Sequence, residues 1–139
     1  MNNKVLLEAA DKFGTPLYIY DSNMIKSQYN RLKQSFKDVK NLQINYAVKA
    51  LSNISILKYM INLGSGIDAV SIQEVKLALK AGVNPKKILY TPNGVSIEEI
   101  KEVSELGVSI NIDNLEVLEQ FGNLNPDIPV CIRINPHIM

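Results

Sequence analysis

A helix followed directly by a β-strand is predicted by the sequence of residues 96–113, SIEEIKEVSELGVSINID. Ser96 followed three residues later by Glu99 is typical of a capping box, and apolar residues at helical spacing then continue to Gly107, which ends the helix. From residue 108 to residue 113 apolar and polar residues alternate strictly, which indicates a strand with one buried face. These residues therefore predict one repeating unit of an α/β fold.

The same alternation of helix and strand extends over most of the chain. Strand-like runs recur at intervals of roughly 21–22 residues, which fits compact βα units with short loops. The five runs are residues 44–49, 66–71, 87–91, 108–113 and 130–135. Helical spacing lies between them, with N-cap candidates at Asn53, Ser96 and Asn114 and helix ends near Gly64, Gly82, Gly107 and Gly122.

Several runs are apolar on one set of alternate positions and polar on the other. In the last run Val130, Ile132 and Ile134 alternate with Cys131, Arg133 and Asn135. A doubly wound sheet has helices on both faces, so its strands are continuously apolar. Alternation instead favours a barrel, in which apolar side chains face the helices and polar ones face the interior. We therefore predict an α/β protein, a partial (β/α)8 TIM barrel with about five βα units.

The predicted units do not account for a closed barrel or for the first part of the chain. Eight strands close such a barrel, and a chain that ends directly after a fifth strand leaves an open edge, so we interpret the sequence as a fragment. Residues 1–43 stand outside the repeat, with a turn and an extended run followed by helical spacing over residues 22–36. We expect residues 1–43 to be a lead-in element and residues 44–139 to be the N-terminal part of the barrel.

Composition excludes several classes of function. The formal net charge is +1, and the charged residues are interspersed, which argues against a nucleic-acid surface. Cys131 is the only cysteine, so an internal disulfide and a multi-cysteine metal site are excluded. The start of the chain lacks an apolar signal core, and the apolar stretches are well short of the ~20 residues that cross a bilayer. We expect a cytoplasmic protein that binds no metal, nucleic acid or membrane.

Lys49 is the first candidate for a chemical role. It ends the first predicted strand on its polar side, among apolar neighbours. A lysine at the interior of a barrel loses hydration, so its pKa falls and its neutral amine can attack an aldehyde. A strand-end lysine that reaches into solvent is the alternative, and position alone does not decide between the two.

Four segments together resemble the PLP-dependent ornithine/diaminopimelate/arginine decarboxylase family, whose barrel is of the alanine-racemase-like class. They are FGTPLYIYD at 13–21, YAVKA at 46–50, GSGIDAVS with Glu74 at 64–74, and RINP at 133–136. Each segment is weak alone, but four of them in the family's order are hard to obtain by chance. Three positions depart from the family's pattern, namely Leu51, the Ile72-Gln73 pair and the loop TPNG at 91–94.

The resemblance implies that Lys49 carries pyridoxal 5'-phosphate (PLP) covalently. It also implies that Asp68, nineteen positions later, lies beside the cofactor, where its carboxylate orients the protonated amine; a capping or loop aspartate is the alternative. Arg133 is expected to organise carboxylates around the cofactor, and a structural ion pair is an equally good interpretation.

Three other features receive weaker assignments. His137 is the only histidine, and we assign it no catalytic role because the family's ring-stacking histidine belongs to a later segment. Cys131 is expected to pack within the barrel, since no acid or base is visibly paired with it. The loop at residues 91–94 is interpreted as a plain βα turn, with contact to substrate or cofactor as the alternative.

The implied activity is decarboxylation of an amino acid, and the opening segment favours meso-diaminopimelate as the substrate and lysine as the product. Ornithine, arginine or carboxynorspermidine as substrate, an amino-acid racemase, and a non-catalytic PLP-binding paralogue are the alternatives. The family also implies a homodimer and a second, β-rich domain for the full-length protein. We accordingly expect residues 1–139 alone to be inactive.

Overall fold

The computed structural model describes residues 2–134 and Pro136, and the chain divides into two compact units, Met1–Leu42 and Gln43–Met139. The first unit contains helix α1, Asn3–Phe13, and helix α2, Ser22–Ser35. Helical spacing predicted α2, whereas α1 was not predicted. An N-cap signal was available for it, because the Oδ1 atom of Asn2 accepts a hydrogen bond from the Val5 N–H at 3.0 Å.

The second unit is a sheet of five parallel strands with helices between them. The strands are β1 Asn45–Ala47, β2 Gly66–Ala69, β3 Ile88–Tyr90, β4 Ser109–Ile112 and β5 Cys131–Ile132, and the helices are α3 Ile54–Asn62, α4 Ile72–Ala81, α5 Ile97–Glu105 and α6 Leu115–Leu124. The predicted caps Asn53, Ser96 and Asn114 each accept a backbone hydrogen bond at the start of a helix. The alternation predicted from the sequence is therefore confirmed.

The strand order identifies the architecture. The sheet has the sequential order β1-β2-β3-β4-β5, and every neighbouring pair is parallel. Successive right-handed crossovers in one direction place all the connecting helices on the same face of the sheet. A doubly wound sheet reverses its direction instead, so the partial (β/α) barrel predicted from the alternating pattern is confirmed.

The core lies between the sheet and these helices. Alternate strand residues that point to the helices are almost completely buried, and they are Ile67, Ala69, Ile88, Tyr90, Ile110 and Ile112. Leu57, Val75, Val103 and Phe121 belong to the same cluster on the helix side. The other set of positions includes Asn45, Asp68, Ser109 and Asn111 together with Gly66 and Leu89, so this face of the sheet is mostly polar while the opposite face is apolar.

All five strands are shorter than the predicted runs, and the difference is largest for the first and the last. The first strand ends at Ala47, because Val48–Ala50 form a 3₁₀ turn. The last is assigned only over Cys131–Ile132, although the Arg133 N–H still donates to the Ile112 carbonyl at 2.9 Å and so extends the pairing with β4. Asn135, the end of the predicted run, lies outside the described residues.

No helix in the part of the chain that the structure describes combines the length and the apolar character that crossing a bilayer requires.

The start of α5 differs in one respect from the predicted capping box. Ser96 Oγ accepts from the Glu99 N–H at 3.3 Å, as expected. The Glu99 carboxylate does not return to Ser96 but accepts from the Tyr90 hydroxyl at 2.7 Å and from the Ile72 N–H at 3.0 Å. Burial raises the pKa of Tyr90 above its ordinary value of 10.0, and the hydrogen bond to Glu99 and the charge of Glu99 raise it further.

This network predicts a pH-dependent stability. Tyr90 has a higher pKa in the folded than in the unfolded chain, so its contribution is complete below about pH 10 and is lost as the pH rises above that value. We expect the free energy of unfolding to fall by up to about 1.4 kcal/mol per pH unit there, because one proton is released on unfolding. Urea titrations of wild type and Tyr90→Phe between about pH 8 and 11 measure the difference. If the free energy of unfolding had the same pH dependence in both proteins, Tyr90 would not be the group responsible.

Gly66, at the start of β2, is tightly enclosed by neighbouring atoms. A Cβ atom there would lie 2.9 Å from the carbonyl oxygen of Lys87, a backbone atom that directly precedes β3. Gly66→Ala is therefore expected to lower the free energy of unfolding by about 1–3 kcal/mol. In α6 a Cβ at Gly122 meets nothing within 4 Å, so Gly122→Ala should raise stability by roughly 0.5–1 kcal/mol. Urea denaturation that shifted both variants in the same direction would contradict this interpretation.

Candidate active site

The polar face of the sheet forms a concave surface with a cavity volume of about 660 Å³. It contains all three residues that the sequence singled out, Lys49, Asp68 and Arg133. The remaining lining residues are Asn45, Val70, Leu89, Thr91, Asn93 and Asn111. The strands run in parallel, so their carboxyl ends share one edge of the sheet, and most of these side chains lie at or just beyond that edge.

Lys49 lies in the 3₁₀ turn that follows β1. Val48 is completely buried and anchors this turn, and the Tyr46 hydroxyl donates to the Leu51 carbonyl at 3.1 Å across it. The backbone around Lys49 is thus held on both sides, while the Lys49 side chain itself is exposed. The loss of hydration expected from the sequence does not occur in this structure, because the cavity is open at Lys49.

Asp68 lies in β2 between two neighbouring strands. Its register partners are Ala47 in β1 and Leu89 in β3, so the carboxylate projects from the middle of the sheet. The side chain is half-buried, and its Oδ1 atom accepts a hydrogen bond from the Thr91 hydroxyl at 2.9 Å. Neither a helix cap nor a loop explains Asp68, since it belongs to a central strand and lines the cavity.

Arg133 follows β5 and lines the same cavity. One guanidinium nitrogen lies 3.8 Å from Oδ2 of Asp113, with side-chain exposures of 44% and 32%. An ion pair that long and that exposed contributes little to stability, about 0–1 kcal/mol. Arg133 thus forms a weak ion pair with Asp113 and also lines the cavity, so both interpretations of Arg133 remain open.

Glu74, in the segment that contains the second strand, bonds the connection that follows Asp68. Its carboxylate accepts from the Val70 N–H at 2.8 Å, and its own N–H donates to the Ser71 hydroxyl at 3.3 Å. These bonds fix the short connection between Asp68 on β2 and the start of α4.

The structure also bears on the weaker assignments made for Cys131 and for the loop at residues 91–94. Cys131 is exposed rather than packed, because β5 is the edge strand of the described sheet. The loop at residues 91–94 is more than a turn, since Thr91 bonds Asp68 and Asn93 lines the cavity. His137 lies outside the described residues.

The contacts of Thr91 and Asn111 were not predicted from the sequence. Asn111 Nδ2 donates to Thr91 Oγ1 at 3.0 Å, and Thr91 in turn donates to Asp68. The alternating pattern already placed Asn111 on the polar face of its strand. What the pattern lacked was the register between neighbouring strands, which brings Asp68, Thr91 and Asn111 within hydrogen-bond distance.

A second cavity, of about 330 Å³, lies between the loop after β3 and helices α5 and α6. Its lining includes Pro92, Ile100 and Val117, and Asp113 is its only charged residue. Because it has neither an amine nor a guanidinium, it lacks the groups expected for the chemistry of the larger cavity.

The family of the chain follows from comparison with known proteins. Residues 22–139 match the family described as pyridoxal-dependent decarboxylase, pyridoxal binding domain, and the chain belongs to that family. The membership predicted from the four short segments is therefore confirmed.

Individual relatives are similar over nearly the whole chain. Diaminopimelate decarboxylase of Methanothermobacter thermautotrophicus is 39% identical over 132 residues, which are 94% of this chain and 31% of that protein. The crystal structure of diaminopimelate decarboxylase from M. jannaschii with L-lysine has a TM-score of 0.86 at 33% identity, over 96% of this chain and 33% of that one. Lysine/ornithine decarboxylase of Vibrio vulnificus with putrescine has a TM-score of 0.84 at 25% identity, over 94% of this chain and 36% of that one.

The chain thus spans about a third of the length of the curated relatives it matches.

Proposed function

We propose that the protein is a PLP-dependent decarboxylase that converts meso-diaminopimelate into lysine and carbon dioxide. The observation that carries this proposal is the presence of Lys49, Asp68 and Arg133 in one cavity of a chain from the pyridoxal-binding family. The choice of substrate is supported by the relatives, which include diaminopimelate decarboxylases and a structure with L-lysine.

The residues of the cavity fit PLP chemically. Its volume of about 660 Å³ is within the range of sites for small cofactors. Lys49 offers a primary amine that can join the aldehyde carbon of PLP, and its exposure in a short turn gives the cofactor access. Asn111 and Arg133 add a polar and a cationic donor on the same surface.

Each of the three residues has a distinct task in this proposal. When bound, PLP withdraws the electrons left by the departing carboxylate. Lys49 would hold the cofactor through its amine, and as a free amine it could hold a proton at its Nζ atom. Asp68 orients the protonated amine that joins PLP, because its carboxylate attracts this positive charge directly. Arg133, held near Asp113, attracts carboxylate groups to the open side of the cavity.

The organisation of the protein is part of the proposal. Residues 1–43 form the lead-in element, and residues 44–139 form the N-terminal part of a PLP-binding barrel. The complete protein is a cytoplasmic homodimer. Support comes from the family membership.

Carbon dioxide release from the purified, PLP-loaded complete protein tests the function, since residues 1–139 alone are expected to be inactive. Meso-diaminopimelate should be the best substrate, with lysine formed in equal amount. Ornithine, arginine and carboxynorspermidine serve as competitors, since the Vibrio vulnificus lysine/ornithine decarboxylase has a similar fold. Faster turnover of one of these would overturn the substrate, and PLP binding without carbon dioxide release from any of them would indicate a non-catalytic PLP protein.

A further inference from the structure

Three side chains on the polar face of the sheet form a continuous chain of hydrogen bonds, the Asn111–Thr91–Asp68 relay. Asn111 Nδ2 donates to Thr91 Oγ1 at 3.0 Å, and Thr91 Oγ1 donates to Asp68 Oδ1 at 2.9 Å. All three side chains are partly buried and line the cavity that contains Lys49 and Arg133.

The chemistry of the relay fixes the direction of every proton. The threonine hydroxyl has one proton, and an ionised aspartate can only accept, so the proton of Thr91 must be directed to Asp68. Asn111 must then present its NH₂ group, not its carbonyl oxygen, to Thr91. A hydrogen bond to an ionised acceptor is about twice as strong as a neutral one, so the bond between Thr91 and Asp68 dominates the relay.

The backbone holds the relay in place. The Thr91 N–H donates to the Ala69 carbonyl at 2.8 Å, which continues the pairing of β3 with β2 beyond the assigned end of β3. Asn111 lies within β4 and pairs with Cys131 of β5 on its other side. Because the three relay residues come from neighbouring strands of one sheet, their relative positions are set by main-chain hydrogen bonds.

We propose that Thr91 and Asn111 are positioning residues that hold the Asp68 carboxylate toward the amine that joins PLP; this inference rests on the proposed function. Thr91 occupies Oδ1 of Asp68, and among the described residues no hydrogen bond reaches Oδ2. The Oδ2 atom is therefore the one that engages the cation. Without the relay the carboxylate rotates about its side-chain bonds and spends less time in the productive orientation.

Titration of the complete apoprotein with PLP, followed by absorbance, measures this role. Thr91→Val keeps the shape of the side chain but removes the hydroxyl, and we expect PLP to bind about tenfold more weakly. Thr91→Ser should restore the wild-type affinity. Asn111 contacts Asp68 only through Thr91, so Asn111→Leu should weaken PLP binding less, by about threefold. Ser109→Ala, an exposed position on the same face of β4, is the matched control and should have no effect.

A double-mutant cycle separates positioning from a general structural effect. If Thr91 acts through Asp68, Thr91→Val should change PLP affinity less than about twofold when Asp68→Ala is already present. If Thr91 had a purely structural role, Thr91→Val would again weaken PLP binding about tenfold in the Asp68→Ala variant. This result would overturn the inference. The inference also fails if wild type binds PLP and Thr91→Val binds it equally well, whereas a wild type that binds no PLP would overturn the proposed function together with it.

Discussion

In the complete protein, replacement of Lys49 by alanine is expected to lower the rate of carbon dioxide release from meso-diaminopimelate by at least about 10³-fold. The estimate follows from the loss of both a covalent attachment point and a proton carrier, since general acid–base catalysis alone contributes roughly 10²–10⁴-fold. The free energy of unfolding should change by less than about 0.5 kcal/mol, because the Lys49 side chain is exposed. Steady-state kinetics and urea denaturation measure the two effects.

Two variants serve as controls for Lys49→Ala. Lys58→Ala removes an exposed lysine from α3 and should leave the rate unchanged. Lys49→Arg keeps a positive charge but offers no amine that can join an aldehyde at neutral pH, so it should be as inactive as the alanine variant. Substantial activity of Lys49→Arg would show that the charge of Lys49, and not its amine, is the property that matters.

Neutralising Asp68 should produce the second largest effect. In Asp68→Asn the Thr91 hydroxyl can still donate to the new carboxamide oxygen, so the packing of the relay is retained while the negative charge is lost. We expect the turnover rate to fall by about 10²-fold, because the protonated amine that the proposed function places beside residue 68 would lose its negatively charged partner. The measurement is kcat for meso-diaminopimelate in wild type and variant.

Asp127→Asn is the matched control for this charge. It removes an exposed carboxylate from the segment before β5, at a position that does not line the cavity, and should leave kcat unchanged. An Asp68→Asn variant as active as wild type would remove Asp68 from the proposed site, whereas equal losses in both variants would point to net charge and not to position.

Much of the fold could be predicted because its determinants are local. In residues 96–113 a cap, a helical face, a terminating glycine and an alternating run follow one another, and the structure places α5 and β4 there. The alternation also predicted which face of the sheet is apolar, since Ile110 and Ile112 are buried while Ser109 is exposed. Barrel and doubly wound sheet were distinguished by this pattern before the strand order was known.

The features that could not be predicted depend on contacts between distant segments. Glu99 satisfies the first half of a capping box, but its carboxylate bonds Tyr90 on β3 and Ile72 at the start of α4, nine and twenty-seven positions away. Local sequence contains no information on such partners. The turn at Lys49 is similar, because a 3₁₀ turn anchored by buried Val48 replaces the last residues of a predicted strand.

In the candidate site, too, some residues could be predicted from the sequence and others could not. Lys49, Asp68 and Arg133 were found from short segments that resemble a family, and the structure places all three around one cavity. Thr91 and Asn111 belong to no such segment, and their contacts depend on the register between neighbouring strands, which the barrel prediction did not give.

Borohydride reduction of the PLP-loaded protein, followed by peptide mass mapping, tests the central claim most directly. Reduction makes the bond between an amine and the cofactor permanent, so the labelled residue can be read from the peptide masses. The account predicts a pyridoxyl group on Lys49 and on no other lysine. A label on a different lysine, or a protein that remains unlabelled at saturating PLP, would contradict it.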